Sequence, residues 1–332
     1  MTTARARLSP PWLFRIGFGG LTALMALALL LAPAVGVYPV FVMKALCFAL
    51  FACAFNLLIG FGGLLSFGHA MFFGGGAYFC GYAAKTLGWP PEVAIIGATA
   101  ATSLVAVLVG AIAIRRQGIY FAMTTLALAQ LAYFIFLQAP FTHGEDGIQS
   151  IPRGRLLGFI DLADPLAVYY VVVVVFLAAF LCVHRIVHSS FGHVLVAIRD
   201  NEPRAISLGY DVARYKLICF VLSATLAGLA GSMKAIVFQL ASLNDVHWTM
   251  SGEVVLMTLV GGIGTLFGPV VGAFVIVAMH TYLASLGQWV TFTIGLIFVL
   301  CVLGFRKGIV GVTARWLESA KSWRTRTAAA EE

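Results

Sequence analysis

Charge is scarce in this 332-residue chain: Asp, Glu, Lys and Arg make up 10% of it, against 61% hydrophobic residues. Soluble domains carry about 25% charged residues, and so few polar side chains could not cover a surface facing water. The shortage excludes a water-soluble enzyme, a disordered regulator and a secreted disulfide scaffold. The six cysteines (Cys47, Cys53, Cys80, Cys182, Cys219 and Cys301) form no C-x-x-C pair and sit in apolar runs. That is the pattern of buried free thiols, not of metal ligands or disulfides. No G-x-x-x-x-G-K-[ST] occurs, and the glycine-rich stretches Gly60 to Gly76 and Gly261 to Gly268 have no following Lys. Without that phosphate-binding loop the chain is not expected to bind or hydrolyse ATP, so any energy comes from elsewhere.

What is present is grease, with a mean hydropathy of +0.99. Apolar runs cover 17–37, 41–59, 67–87, 93–114, 118–139, 165–184, 215–238, 251–264, 267–285 and 287–304. They are continuous, not alternating, so helices and not a β-barrel are predicted, each able to satisfy its own backbone in lipid. The expected fold is an all-α polytopic membrane protein of about ten transmembrane helices. The basic start could open a signal peptide, but the length of the first run and the spans behind it fit an uncleaved helix better. The run 251–264 is short and holds Gly252, Gly261, Gly262 and Gly264. It crosses or it re-enters; parity favours crossing.

The formal charge is +8, from 21 Lys and Arg and 13 Asp and Glu. In a membrane chain the excess reads as cytoplasmic loops, not as nucleic-acid binding. With both termini cytoplasmic, 16 of the 21 basic residues fall inside; Lys44, Lys85, Arg153, Arg155 and Lys234 fall outside. The division is then a cytoplasmic segment 1–16, a membrane domain 17–304 and a basic tail 305–332. Trp316 and Trp323 suit that tail to the membrane surface.

Two loops are long, 140–164 outside and 185–214 inside. In the inner one Asn201 is a candidate N-cap, Pro203 a first-turn residue and Gly209 a left-handed stop, which predicts two short helices. A solvated connector needs fewer residues, so a partner-facing element is favoured.

Isolated polar residues within the runs have bland and functional readings. His69, after Ser66, is read first as a hydrogen-bonded interface histidine and second as a gate. Glu253 is the lone carboxylate in a run, so it lies at the outer interface or faces a wet cavity. Asn56 and Gln130 bond across helices or line a path. Gly74, Gly75 and Gly76 are read as helix packing, as are Gly261 and Gly262 unless they line a pathway. His184, His188 and His193 imitate a metal cluster but lack a completing ligand.

The stretches Phe191-Gly-His-Val-Leu-Val-Ala-Ile-Arg-Asp-Asn-Glu, Ala205-Ile-Ser-Leu-Gly-Tyr-Asp-Val-Ala-Arg-Tyr-Lys-Leu and Ser223-Ala-Thr-Leu-Ala-Gly-Leu-Ala-Gly resemble the LivM-type permeases of branched-chain amino acid ABC importers. So do Asn56-Leu-Leu-Ile-Gly-Phe-Gly-Gly-Leu-Leu-Ser-Phe-Gly-His-Ala and Gly261-Gly-Ile-Gly-Thr-Leu-Phe-Gly-Pro-Val-Val-Gly-Ala. The loop Thr142-His-Gly-Glu-Asp-Gly-Ile is similar to the family's T-G-G-x-D-G-I, with His143 where glycine is usual.

The resemblance implies a non-catalytic subunit of a bacterial inner-membrane importer. Its partners would be a related LivH-type permease, two ABC ATPases that hold the ATP and Mg, and an extracytoplasmic solute-binding protein. It implies that Phe191, Gly192, Arg199, Glu202, Arg204 and Gly209 belong to the ATPase-docking segment. It places His143, Gly144, Asp146 and Gly147 in a loop facing the binding protein. The implied cargo is a branched-chain amino acid; urea, a short amide or another small solute is the alternative. An ion-coupled carrier has only Glu253 to stand on, and a membrane enzyme lacks clustered catalytic groups.

Overall fold

The computed structural model describes residues 11–36, 38–156, 158, 160–286 and, farther on, 289, 292, 293, 295, 296, 299, 308 and 309. Among them run eleven α-helices: α1 Pro11–Leu31, α2 Pro39–Asn56, α3 His69–Lys85, α4 Pro91–Ala113, α5 Ile119–Gln138, α6 Pro165–Val187, α7 Ser190–Asp200, α8 Glu202–Ser207, α9 Val212–Phe238, α10 Trp248–Gly261 and α11 Gly268–Tyr282. Nine of the ten apolar runs are thus helical. Most of the tenth, 287–304, lies outside the described residues, as do the first ten residues and the basic tail beyond 309.

Among the described residues five helices are long and apolar enough to cross a membrane: Pro39–Phe61, Pro91–Ala113, Ile119–Gln138, Pro165–Val187 and Val212–Phe238. α3, α10 and α11 are shorter, with 17, 14 and 15 residues. Proline stands in the first turn of α2, α4, α6 and α11, where its missing N–H costs little and its φ is preset. Proline also corrects one boundary. α1 stops at Leu31, short of the expected end at 37, because Pro33 cannot donate to the ladder. Ala34, Val35 and Gly36 bond back to Leu31 and Pro33 in a turn instead.

α2 is buried along nearly its whole length, with α6, α9, α10 and α11 around it and Phe48 and Phe51 set against Phe73 of α3. α4 and α5 turn Leu104, Leu108, Leu131 and Phe134 outward, an apolar outer face suited to lipid. α3 and α9 cross backbone to backbone. A Cβ on Gly231 would lie 1.7 Å from the Phe73 carbonyl oxygen, and one on Gly76 would lie 2.3 Å from that of Gly228. Ser232 Oγ sits 2.9 Å from the Gly228 oxygen and 3.2 Å from that of Gly76. The glycines of this crossing are packing residues.

The fold departs from all-α at the end of the bundle opposite α7 and α8. There β1 Ile148–Gln149 pairs antiparallel with β4 Leu240–Ala241, and β2 Arg155–Leu156 with β3 Ile160–Asp161. These residues leave helices but lie on buried structure, so their backbone groups pair with neighbouring strands. Arg153 stacks two donors onto the end of α9, to the carbonyls of Ile236 (3.3 Å) and Val237 (2.8 Å).

Candidate functional site

The segment between α6 and α9 folds into the two short helices expected of it. Ser189 caps α7 by accepting from Gly192 N–H (3.3 Å). Asn201 caps α8 by accepting from Arg204 N–H (3.1 Å), and Gly209 follows with φ +86. Gly192 has no room for a side chain, since a Cβ would lie 2.1 Å from the Val187 carbonyl oxygen. Phe191 stacks on Tyr215 of α9 with ring centroids 5.5 Å apart. Leu195, Ile198 and Ala205 turn inward, while Ile206 and Leu208 are 58% and 68% exposed.

The charged residues of this segment divide. Glu202 pairs with Lys216 of α9 at 2.8 Å and accepts from Gln117 Nε2 at 3.1 Å. Arg199 donates to the Gly60 carbonyl at the end of α2 and, through Nε and Nη2, to Asp200 at 3.0 and 2.9 Å. Arg204 faces outward.

Beneath the loop lies a polar seam inside the bundle. After Asn56, α2 continues as one π-turn, Leu57–Phe61. Asn56 Oδ1 accepts from Gly264 N–H (2.9 Å) and its Nδ2 donates to the Thr265 carbonyl (2.8 Å). The side chain thereby binds α2 to the glycine turn between α10 and α11, where Gly262 has φ +121 and Gly264 φ +75. On Gly261 a Cβ would lie 1.9 Å from the Gly268 carbonyl oxygen.

α3 begins in this interior, and hydroxyls satisfy the backbone at its start: Thr125 accepts from Phe67 N–H (3.2 Å), Ser66 from Gly68 N–H (3.2 Å) and Ser251 from Ala70 N–H (2.9 Å). His69 is fully buried, edge-on to Phe55, Phe72 and Phe220. Its Nε2 is 2.7 Å from Ser223 Oγ, which itself donates to the Ala54 carbonyl. The serine proton is thus spent, so Nε2 carries the imidazole proton and Nδ1 is bare. His69 is an interface histidine joining α2, α3 and α9.

Residues 37–303 match the family described as "Branched-chain amino acid transport system / permease component". The chain belongs to this family of permeases. It is 25% identical over 229 residues to the high-affinity branched-chain amino acid transport system permease protein LivM of Escherichia coli K12, covering 62% of this chain and 54% of that protein. The LivM of Salmonella typhimurium LT2 is 24% identical over the same coverage. The ribose import permease protein RbsC of Escherichia coli K12 is 29% identical over 145 residues, 40% of this chain and 43% of that one. The chain spans about half the length of the curated relatives it matches. No solved structure matches it. As a family member, with several helices long and apolar enough to cross a membrane, it is a multi-pass membrane permease.

The other residues singled out in the permease sequence are scattered over it. Gln130 is half-buried on α5. Glu253 is not isolated: its Oε1 lies 3.9 Å from His280 Nε2 of α11. His184 and His188 lie with ring centroids 4.2 Å apart and their planes tilted by 37°, and among the described residues no three His, Cys, Asp or Glu side chains gather around a metal position.

His143 takes φ +59, and Gly144 and Gly147 take +58 and +67. The histidine therefore sits in the left-handed region its usual glycine would occupy freely. His143→Gly is expected to stabilise the permease by about 0.5–1 kcal/mol, read as a higher unfolding temperature in detergent. Asp146 is exposed, while Gly147 is pressed on β4, where a Cβ would lie 2.2 Å from the Ala241 carbonyl oxygen.

Sequence reasoning missed the most buried ion pair among the described residues. Lys234 of α9 forms an ion pair with Asp245, their side chains 12% and 5% exposed. Asp245 also accepts from Ser242 N–H (3.3 Å), closing a capping box. The available signal was a lysine inside an apolar run followed by a single acid just past the helix end.

Proposed function

We propose that this permease forms half of the membrane pore of an ATP-driven importer for branched-chain amino acids. The second half is a related LivH-type permease, and two cytoplasmic ABC ATPases supply the energy, holding ATP and Mg themselves. A solute-binding protein delivers cargo to the face bearing residues 140–164. In this reading the chain crosses ten times within 17–304, both termini are cytoplasmic, and 185–214 is the coupling loop. The 16-to-5 division of basic residues supports the orientation.

One observation carries the reading: α7 and α8 form a capped, packed unit that leaves Arg204, Ile206 and Leu208 uncovered at the end of the bundle. Small exposed apolar groups beside a cation suit insertion into a groove on a soluble partner. The test is co-purification of the ATPases with an Ile206→Asp/Leu208→Asp variant. Both side chains lie outside the packed core, so the permease should fold while ATPase recovery drops about tenfold or more. Undiminished recovery would defeat the docking assignment.

The cargo is assigned from the LivM relatives, and a zwitterion suits a bundle with few fixed charges. A second reading, a neutral sugar, draws on the likeness to the ribose permease. Uptake of labelled leucine, ribose and urea by the assembled importer distinguishes these readings.

A further inference from the structure

We infer that Arg199 is a positioning residue through which α7 moves the π-turn of α2 and the glycine turn between α10 and α11, rather than a contact for the ATPase. The inference deepens the importer reading and rests on it.

The Arg199 side chain leaves α7 and turns toward the bundle. Its stem lies on Gly63, where a Cβ would come within 2.6 Å of Arg199 Cγ and where φ is +68. Only glycine leaves that slot open without strain. At the end of the slot Nη1 donates to the Gly60 carbonyl, while Asp200 holds the other edge of the fork. Gly60 is the next-to-last residue of the π-turn, and the last carbonyls of any helix have no partner within it. Arg199 fills that vacancy from a different element, 139 residues away. The bond also selects arginine over lysine: one edge of a planar guanidinium can be fixed by Asp200 while the other reaches the carbonyl.

Gly60 in turn touches the other moving part. A Cβ there would lie 2.7 Å from Gly264 N and 2.4 Å from Asn56 Oδ1, and Asn56 holds both Gly264 and Thr265. Arg199, Gly60, Asn56 and Gly264 therefore form one chain of contacts from the loop to two backbone irregularities. π-turns and glycine turns are where helices most readily change geometry. α7 itself buries only Gly192, Leu195 and Ile198, so it is lightly held and can shift as a unit. When an ATPase displaces α7, the Gly60 carbonyl is pulled with it, and α2 and the α10–α11 turn follow.

The experiment uses the complete importer in proteoliposomes with labelled leucine, and reads ATPase recovery, ATP hydrolysis and uptake per ATP. For Arg199→Ala, recovery and hydrolysis are expected to stay within about twofold while uptake per ATP falls about tenfold. Asn56→Ala, at the far end of the same contacts, should reproduce that uncoupling. Arg199→Lys, which keeps the stem and one donor, guards against a folding defect and should give an intermediate ratio. An unchanged ratio in Arg199→Ala overturns the inference. So does loss of the ATPases from the arginine variants, which would make Arg199 a docking contact. A wild-type importer that assembles but carries another solute refutes only the cargo, because the ratio is then read with that solute. A wild-type chain that recruits no ATPase refutes both readings.

Discussion

Lys234→Met is expected to be among the most damaging single substitutions in the chain, because it strands the Asp245 carboxylate. Both side chains of the pair are nearly buried, at 12% and 5% exposure, and sit among apolar helices where water cannot replace the lost partner. Breaking a buried pair by removing one member costs about 3–5 kcal/mol, most of it the burden of the remaining charge. Asp245→Asn leaves the ammonium stranded instead, yet keeps an oxygen for Ser242 N–H, so it should be somewhat milder. The double variant Lys234→Met/Asp245→Asn removes both charges and keeps the cap, and should recover most of the loss. Unfolding temperatures of the four proteins in one detergent form a double-mutant cycle. A double variant as unstable as the sum of the singles would show that the pair contributes no coupling, and that the cost arises from packing alone.

The pair also marks the boundary of what the sequence discloses. Apolar runs locate helices because each must satisfy its own backbone in lipid, and the nine runs that the described residues cover are α-helices. Caps are local as well: Asn201, Pro203 and Gly209 announce α8 within a few residues of one another, and the structure uses all three as read. Partners are not local. Arg199 meets Gly60 across 139 residues and Asn56 meets Thr265 across 209, so only the packing of α2 against the loop and the α10–α11 turn decides them. Counting Lys216 among inner-loop charges and Lys234 among outer ones gave an orientation but concealed that each is engaged by a carboxylate. The rule for orientation sums charges and is blind to which of them are paired. Even Lys234 and Asp245, 11 residues apart, meet only because the chain folds back beneath the end of α9.

Two glycine-to-alanine changes should move stability in opposite directions. Gly231→Ala places a methyl 1.7 Å from the Phe73 carbonyl oxygen, a distance no rotamer can relieve because both atoms are fixed to backbone. α9 must move off α3, and the loss reaches the Ser232 contacts and the Gly76–Gly228 approach one turn away. Overpacking a core costs about 1–3 kcal/mol when side chains can yield; against backbone the upper end or more is expected. Gly252→Ala meets nothing within 4 Å and lies inside α10, so the methyl only narrows the unfolded chain and favours helix, a gain of about 1 kcal/mol. Gly231 and Gly252 carry the same atom change in the same kind of helix, so propensity alone predicts two equal gains. Unfolding temperatures that rise for both would mean that α3 and α9 do not touch through their backbones, and the crossing that seats His69 beside Ser223 would have to be rebuilt. A fall for Gly231→Ala with a rise for Gly252→Ala fixes that crossing as the point from which α2, α3 and α9 hold the interior polar seam.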